Sequence, residues 1–97
     1  MSHMNIVKFH VNPDHTDGFL EAFRNATLNQ GQISCKLVQI AENKFCSIGL
    51  WESQGAMDEA MNDMISFLDT IRHMLITISE DLGVTDPASG PVLIEHN

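Results

Sequence analysis

The stretch from Phe45 to Met57 constrains the fold more than any other part of the chain. Phe45 to Trp51 is apolar and rich in side chains that fit a half-buried pleated surface, so it reads as a strand. Ser53 follows as an N-cap, because its hydroxyl oxygen satisfies an unpaired N–H of the first helical turn. A helix is expected from Gln54 to about Leu82, in one piece or two. Met57, Ala60, Met61, Met64, Phe67 or Leu68, Ile71, Leu75, Ile78 and Leu82 keep its period, and Gly83 ends it. A strand feeding straight into an amphipathic helix calls for a sheet with a helical layer on it.

The other elements are read around this one. Asn5 to Asn12 alternates, with Val7, Phe9 and Val11 on one face and Ile6, Lys8 and His10 on the other. Pro13 closes that strand. Asp14 to Gln30 is expected to be helical, capped by Asp14 or Thr16, with Phe19, Ala22, Phe23 and Ala26 as its apolar stripe and Gly31 as its C-terminal stop. Gln32–Ala41 and Lys44–Glu52 form a hairpin turning at Glu42 and Asn43. A two-residue turn with unbroken pairing sets Val38 opposite Ser47 and Ser34 opposite Trp51. It gathers Ser34, Lys36, Val38, Ile40, Phe45, Ser47, Gly49 and Trp51 on one face, and a bulge swaps these sets locally. Asp86 to Gly90 reads as a loop containing Pro87, and Pro91 to His96 as a last short strand beside the first. The order β-α-β-β-α-β is the ferredoxin-like α+β arrangement, an antiparallel sheet with helices on one face.

With 97 residues the chain is one domain, taken as residues 5–96. Residues 1–4 read as a tag remnant or a disordered start. The formal net charge is -8, with five Lys and Arg scattered along the chain. That excludes nucleic acid and anionic membrane as partners, since both need clustered cations. No apolar run approaches the ~20 residues of a membrane span, and no leader is visible. Two cysteines, Cys35 and Cys46, suit reduced thiols in a cytoplasmic protein.

By unbroken pairing, Val38, Ile40, Phe45 and Trp51 lie on the sheet face that no helix covers. An apolar patch of that size marks an interface or a ligand site, and two such sheets packed together give a homodimer with a shared interior. The strand from Ile6 to Val11, Pro13 opening a helix, Phe23 within it, the run from Leu37 to Gln39, the run from Leu50 to Ser53 and the closing run from Gly90 to Glu95 carry a family resemblance. Over about residues 5–96 the chain resembles the antibiotic biosynthesis monooxygenase family of the dimeric α+β barrel superfamily. The resemblance implies a homodimer whose sheets form a barrel. It also implies a cofactor-independent monooxygenase acting on a small electron-rich aromatic, a quinol or a polyketide phenol. The alternative is a non-catalytic ligand-binding or accessory homodimer. Haem-degrading relatives carry an Asn on the first strand, then a Trp and a His on the second helix. Here Val7 and Lys8 fill the strand interior, Asn5 precedes it, and Ala60 and Thr70 stand near the other two positions, so haem is not expected.

His10 is the candidate general base, because an imidazole titrates near neutrality. Lys8 and Lys36 are candidates to stabilise a substrate anion, and Val38, Phe45 and Trp51 to frame an aromatic ligand. A bland reading stands beside each: Trp51 as packing at the strand–helix junction, His10 as a rim residue. No His, Cys or carboxylate spacing suits a metal, and no glycine-rich loop suits a nucleotide, so no metal, haem or flavin is expected.

Overall fold

A computed structural model of the protein describes residues 1–96. Four strands, β1 (His3–His10), β2 (Gln32–Ala41), β3 (Lys44–Trp51) and β4 (Thr85–Pro91), form one sheet in the order β2-β3-β1-β4. All three pairings are antiparallel. The helices α1 (Thr16–Asn25), α2 (Gln54–Glu59) and α3 (Met61–Ile71) cover one face. This is the expected ferredoxin-like α+β fold.

The core sits where the apolar faces of β1 and α1 require. Phe9, Val11, Phe19, Phe45 and Ile71 are buried together. All five phenylalanines of the chain join one cluster, with neighbouring ring centroids 5.0–5.9 Å apart. A second centre forms over the β3–α2 junction, where Trp51, fully buried, packs with Met57 and Ala60. Ser53 caps α2 as its position predicts, its Oγ accepting the Ala56 N–H at 3.1 Å.

The hairpin corrects the sequence reading of the faces. Its turn falls at Glu42 and Asn43, with Ala41 opposite Lys44, but Gln39 then pairs with Phe45 and Val38 with Cys46. Ile40 is left over as a bulge, and Ile33 is passed over between Gln32 and Ser34 in the same way. Each slip by one residue reverses the sides. Phe45 and Trp51 therefore lie on the helix side, not with Val38 on the open face. Phe45 is drawn there by Phe9, its partner in β1, and by Phe19 at 5.3 Å. Trp51 is drawn there by Ala56 and Met57 of α2 and by Ala60 just after it.

Four boundaries also differ. β1 begins at His3, so residues 3 and 4 are sheet and not a disordered start. The first helix is shorter than the expected 14–30. Asn12 caps a 3-10 turn over Pro13–His15, accepting the Asp14 N–H, and α1 ends at Asn25. The second helical run stops at Ile71, with a 3-10 turn over Arg72–Met74, not at Leu82. Beyond it the β-branched Ile76, Thr77 and Ile78 are outside any helix, and Ile76 N–H donates to His10 O at 2.8 Å. Finally, β4 occupies the stretch expected as a loop, and residues 92–96 lie outside the sheet. Pro87 is tolerated because β4 is an edge strand, where a missing N–H breaks no ladder bond.

Candidate functional site

Between the helix-covered face of the sheet and the helices lies a cleft of about 950 Å³. Val7, Phe9 and Leu37 form part of its floor, Phe23 comes from α1, and Met64, Phe67, Leu68 and Ile71 come from α3. Met57 and Met61 add flexible thioethers. Its volume and apolar lining suit a flat organic molecule. None of the five Lys and Arg lines it; the charged residue of the lining is Asp63, on α3.

A polar group is built over Gly49, in the middle of the sheet. Asn5 sits opposite Gly49 on β1, and Cys35 opposite it on β2. The Trp51 Nε1–H donates to Asn5 Oδ1 at 2.8 Å. Gln32 Oε1 accepts from both the backbone N–H and the Nδ2 of Asn29, each at 3.1 Å. A Cβ placed on Gly49 would overlap Asn5 Oδ1 and come within 3.1 Å of Trp51 Nε1 and 3.2 Å of Gln32 Nε2. Position 49 is glycine because these side chains fill the space above it. Cys35, also lining the cleft, has its thiol pushed up by burial, against the smaller opposing pull of Lys36.

The residues singled out from sequence divide between the two faces. By strand alternation His10, Lys8, Lys36 and Val38 are on the face away from the helices, and none of them lines the cleft. His10 is half-buried; Lys8, Lys36 and Val38 are exposed. Phe45 and Trp51 are on the helix side, closed in its packing. Trp51 thus has the packing role, with its indole N–H committed to Asn5. Asn5, placed ahead of the strand interior by the sequence reading, is the third residue of β1 and lines the cleft. Asn29, Gln32, Cys35 and Ser47 were missed as site residues. The period-2 pattern Asn5-Val7-Phe9 was the signal for Asn5, since it sets an amide in line with two core residues.

The other histidines stand apart. His15 and His73 meet edge to face at 5.6 Å, His3 is buried beside Trp51 in the sheet, and His96 lies beyond β4. Among the described residues no three His, Cys, Asp or Glu side chains are grouped to hold a metal ion. No described helix is long and apolar enough to cross a membrane.

Solved structures with the same architecture span the whole chain. A protein from Chloroflexus aurantiacus assigned to the antibiotic biosynthesis monooxygenases superimposes with a TM-score of 0.76 at 12% identity, covering 100% of this chain and 98% of that one. The chain has their fold. SnoaB from Streptomyces nogalater, a cofactor-independent oxygenase, gives 0.67 at 12% identity over 97% of this chain and 95% of its own. A dimeric ferredoxin-like protein from an uncultured marine organism gives 0.74 at 10% identity, over 99% and 91%. No family model and no curated protein matches the sequence.

Proposed function

We propose that the protein is a cofactor-independent monooxygenase of small electron-rich aromatics, with the helix-side cleft as its site. The cleft carries this reading: an apolar space of about 950 Å³, walled by Phe23, Phe67 and three methionines, with hydrogen-bonding amides at Gly49. Likeness in fold to a cofactor-independent oxygenase supports it. With no cofactor, the substrate itself supplies the electrons. A phenol such as 1-naphthol loses its proton, and the anion reduces oxygen. One oxygen atom enters the ring and the other leaves as water with two substrate hydrogens, giving 1,4-naphthoquinone. The protein contributes a dry pocket and fixed dipoles.

The test is oxygen uptake with a panel of naphthols and quinols under ¹⁸O₂. The expected result is one labelled oxygen atom per quinone formed from naphthol and no hydrogen peroxide. Binding of the panel without oxygen uptake overturns the catalytic reading in favour of a non-catalytic ligand-binding homodimer. One observation favours that second reading: no histidine lines the cleft.

We also propose a homodimer joined through the open sheet face. Ile6, Ile48, Leu50 and Val38 lie there by alternation, and Val38 is 41% exposed. This places His10, Lys8 and Lys36 at or beside the subunit interface, and His10 can act as a base only for a ligand held between the sheets.

A further inference from the structure

We infer that Asn5 and Gln32 form a paired amide donor site in the cleft, which selects ligands carrying an uncharged carbonyl oxygen. The inference rests on the cleft being the ligand site.

The chemistry of the neighbours fixes which end of each amide is free. An indole N–H only donates, so the Asn5 atom 2.8 Å from Trp51 Nε1 is the carbonyl oxygen. A backbone N–H only donates, so the Gln32 atom 3.1 Å from Asn29 N is likewise its oxygen. Asn29 Nδ2 uses that same oxygen again. Both oxygens are therefore spoken for. Among the described residues neither amide NH₂ has a protein acceptor, and both residues line the cleft. The two side chains meet over Gly49 through the Asn5 oxygen and the Gln32 amide nitrogen. The bare Cα of Gly49 leaves a place that a single Cβ would share with Asn5 Oδ1 and with Gln32 Nε2 at 3.2 Å. Trp51 is the positioning residue: with no exposure of its own, it holds the Asn5 amide in one orientation.

Two neutral donors without a cation favour a ketone or quinone oxygen over a carboxylate. All five Lys and Arg lie outside the cleft lining, and Asp63 within it disfavours an anion. The acceptor oxygen would gain hydrogen bonds that the hydrocarbon analogue cannot make, while the apolar walls treat both alike.

The probes are 9-fluorenone and fluorene, flat and of nearly equal size, one with a carbonyl and one without. Equilibrium dialysis against the full chain should show fluorenone bound at least about tenfold more tightly than fluorene, as expected for two net hydrogen bonds. The bound carbonyl stretch should fall below its value in hexane. Asn5→Asp keeps an oxygen for Trp51, and Gln32→Glu keeps one for Asn29, so both variants remove donors while leaving the internal bonds. Each should cut the fluorenone preference by about fivefold and leave fluorene affinity within about threefold. Equal affinity for the two probes in the wild type, or an unshifted carbonyl stretch, overturns the donor site and leaves the cleft as an apolar site. Failure of both probes to bind overturns the donor site and the cleft reading together.

Discussion

At the scale of single residues, the site depends on an atom that is missing. Gly49 has no Cβ, and the space it leaves is held by Asn5, Trp51 and Gln32. Gly49→Ala must push the Asn5 amide aside or move the strands. The expected cost is about 1–3 kcal/mol of stability, as for overpacking elsewhere, together with loss of fluorenone preference. Chemical denaturation and the dialysis assay check the two effects separately. Cys35, across the sheet from Gly49, gives a second expectation. Burial raises its thiol above the ordinary value of 9.0. Cys35 is an exposed residue of the cleft wall, so iodoacetamide should reach it, and its alkylation should rise with pH as the thiolate forms. The linked effect on stability has a definite sign. Above the unfolded thiol's value, the unfolded chain has released a proton that the native state keeps, so stability falls as pH rises through and beyond that point. Cys35→Ser should remove this alkaline slope, as followed by melting temperature between neutral and alkaline buffers.

At the scale of elements, much of the fold was legible because pattern and punctuation agreed. The alternation running through β1 to Val11 just past its end put Phe9 and Val11 in the core, and Ser53 marked the start of α2. Other parts were misread for physical reasons. β3 is apolar on both faces, so alternation alone does not say which side meets the helices. The bulge at Ile40 then separates Val38 from Phe45, and no residue type announces it. Pro87 looked like a loop signal, yet an edge strand accommodates it. The site was less legible than the fold. Its amides come from β1, β2 and the segment before β2, and only the sheet register brings them over Gly49. The corrected register has a direct consequence for stability. Phe45→Ala should cost about 3–5 kcal/mol, since it empties a buried place against Phe9 and Phe19. Val38→Ala, at a position 41% exposed, should cost far less in the isolated subunit. Equal losses for the two substitutions in urea unfolding of the dissociated subunit, in the Ile48→Lys background, would mean that the register is wrong.

At the scale of the whole molecule, the sheet separates two surfaces with different chemistry. The helix side holds the aromatic cluster and the cleft, with no cation in its lining. By alternation the open side carries Lys8, His10 and Lys44 near one end of the strands and Ile6, Ile48 and Leu50 toward the other, with Lys36 in the row of Ile6 and Ile48. If that side is the subunit interface, it should bury more than about 1,000 Å² in total, and Ile48→Lys should split the dimer into folded monomers. Sedimentation velocity reads this directly, and a wild-type monomer at micromolar concentration would sink the interface. The same division decides what His10 does. With substrate in the helix-side cleft, the sheet itself stands between the imidazole and the reacting atoms. His10→Ala should then leave kcat/KM for naphthol within about threefold, whereas loss of a true general base costs about 10²–10⁴. The pH profile supplies an independent check. No histidine lines the cleft, so log kcat/KM should climb with the ionisation of the phenol itself and not level off near the ~6.5 of an imidazole. Substituting naphthols of lower acidity constant should move that profile with the substrate. A profile that stays fixed near neutrality across the series, and collapses in His10→Ala, would put the reaction between the sheets instead.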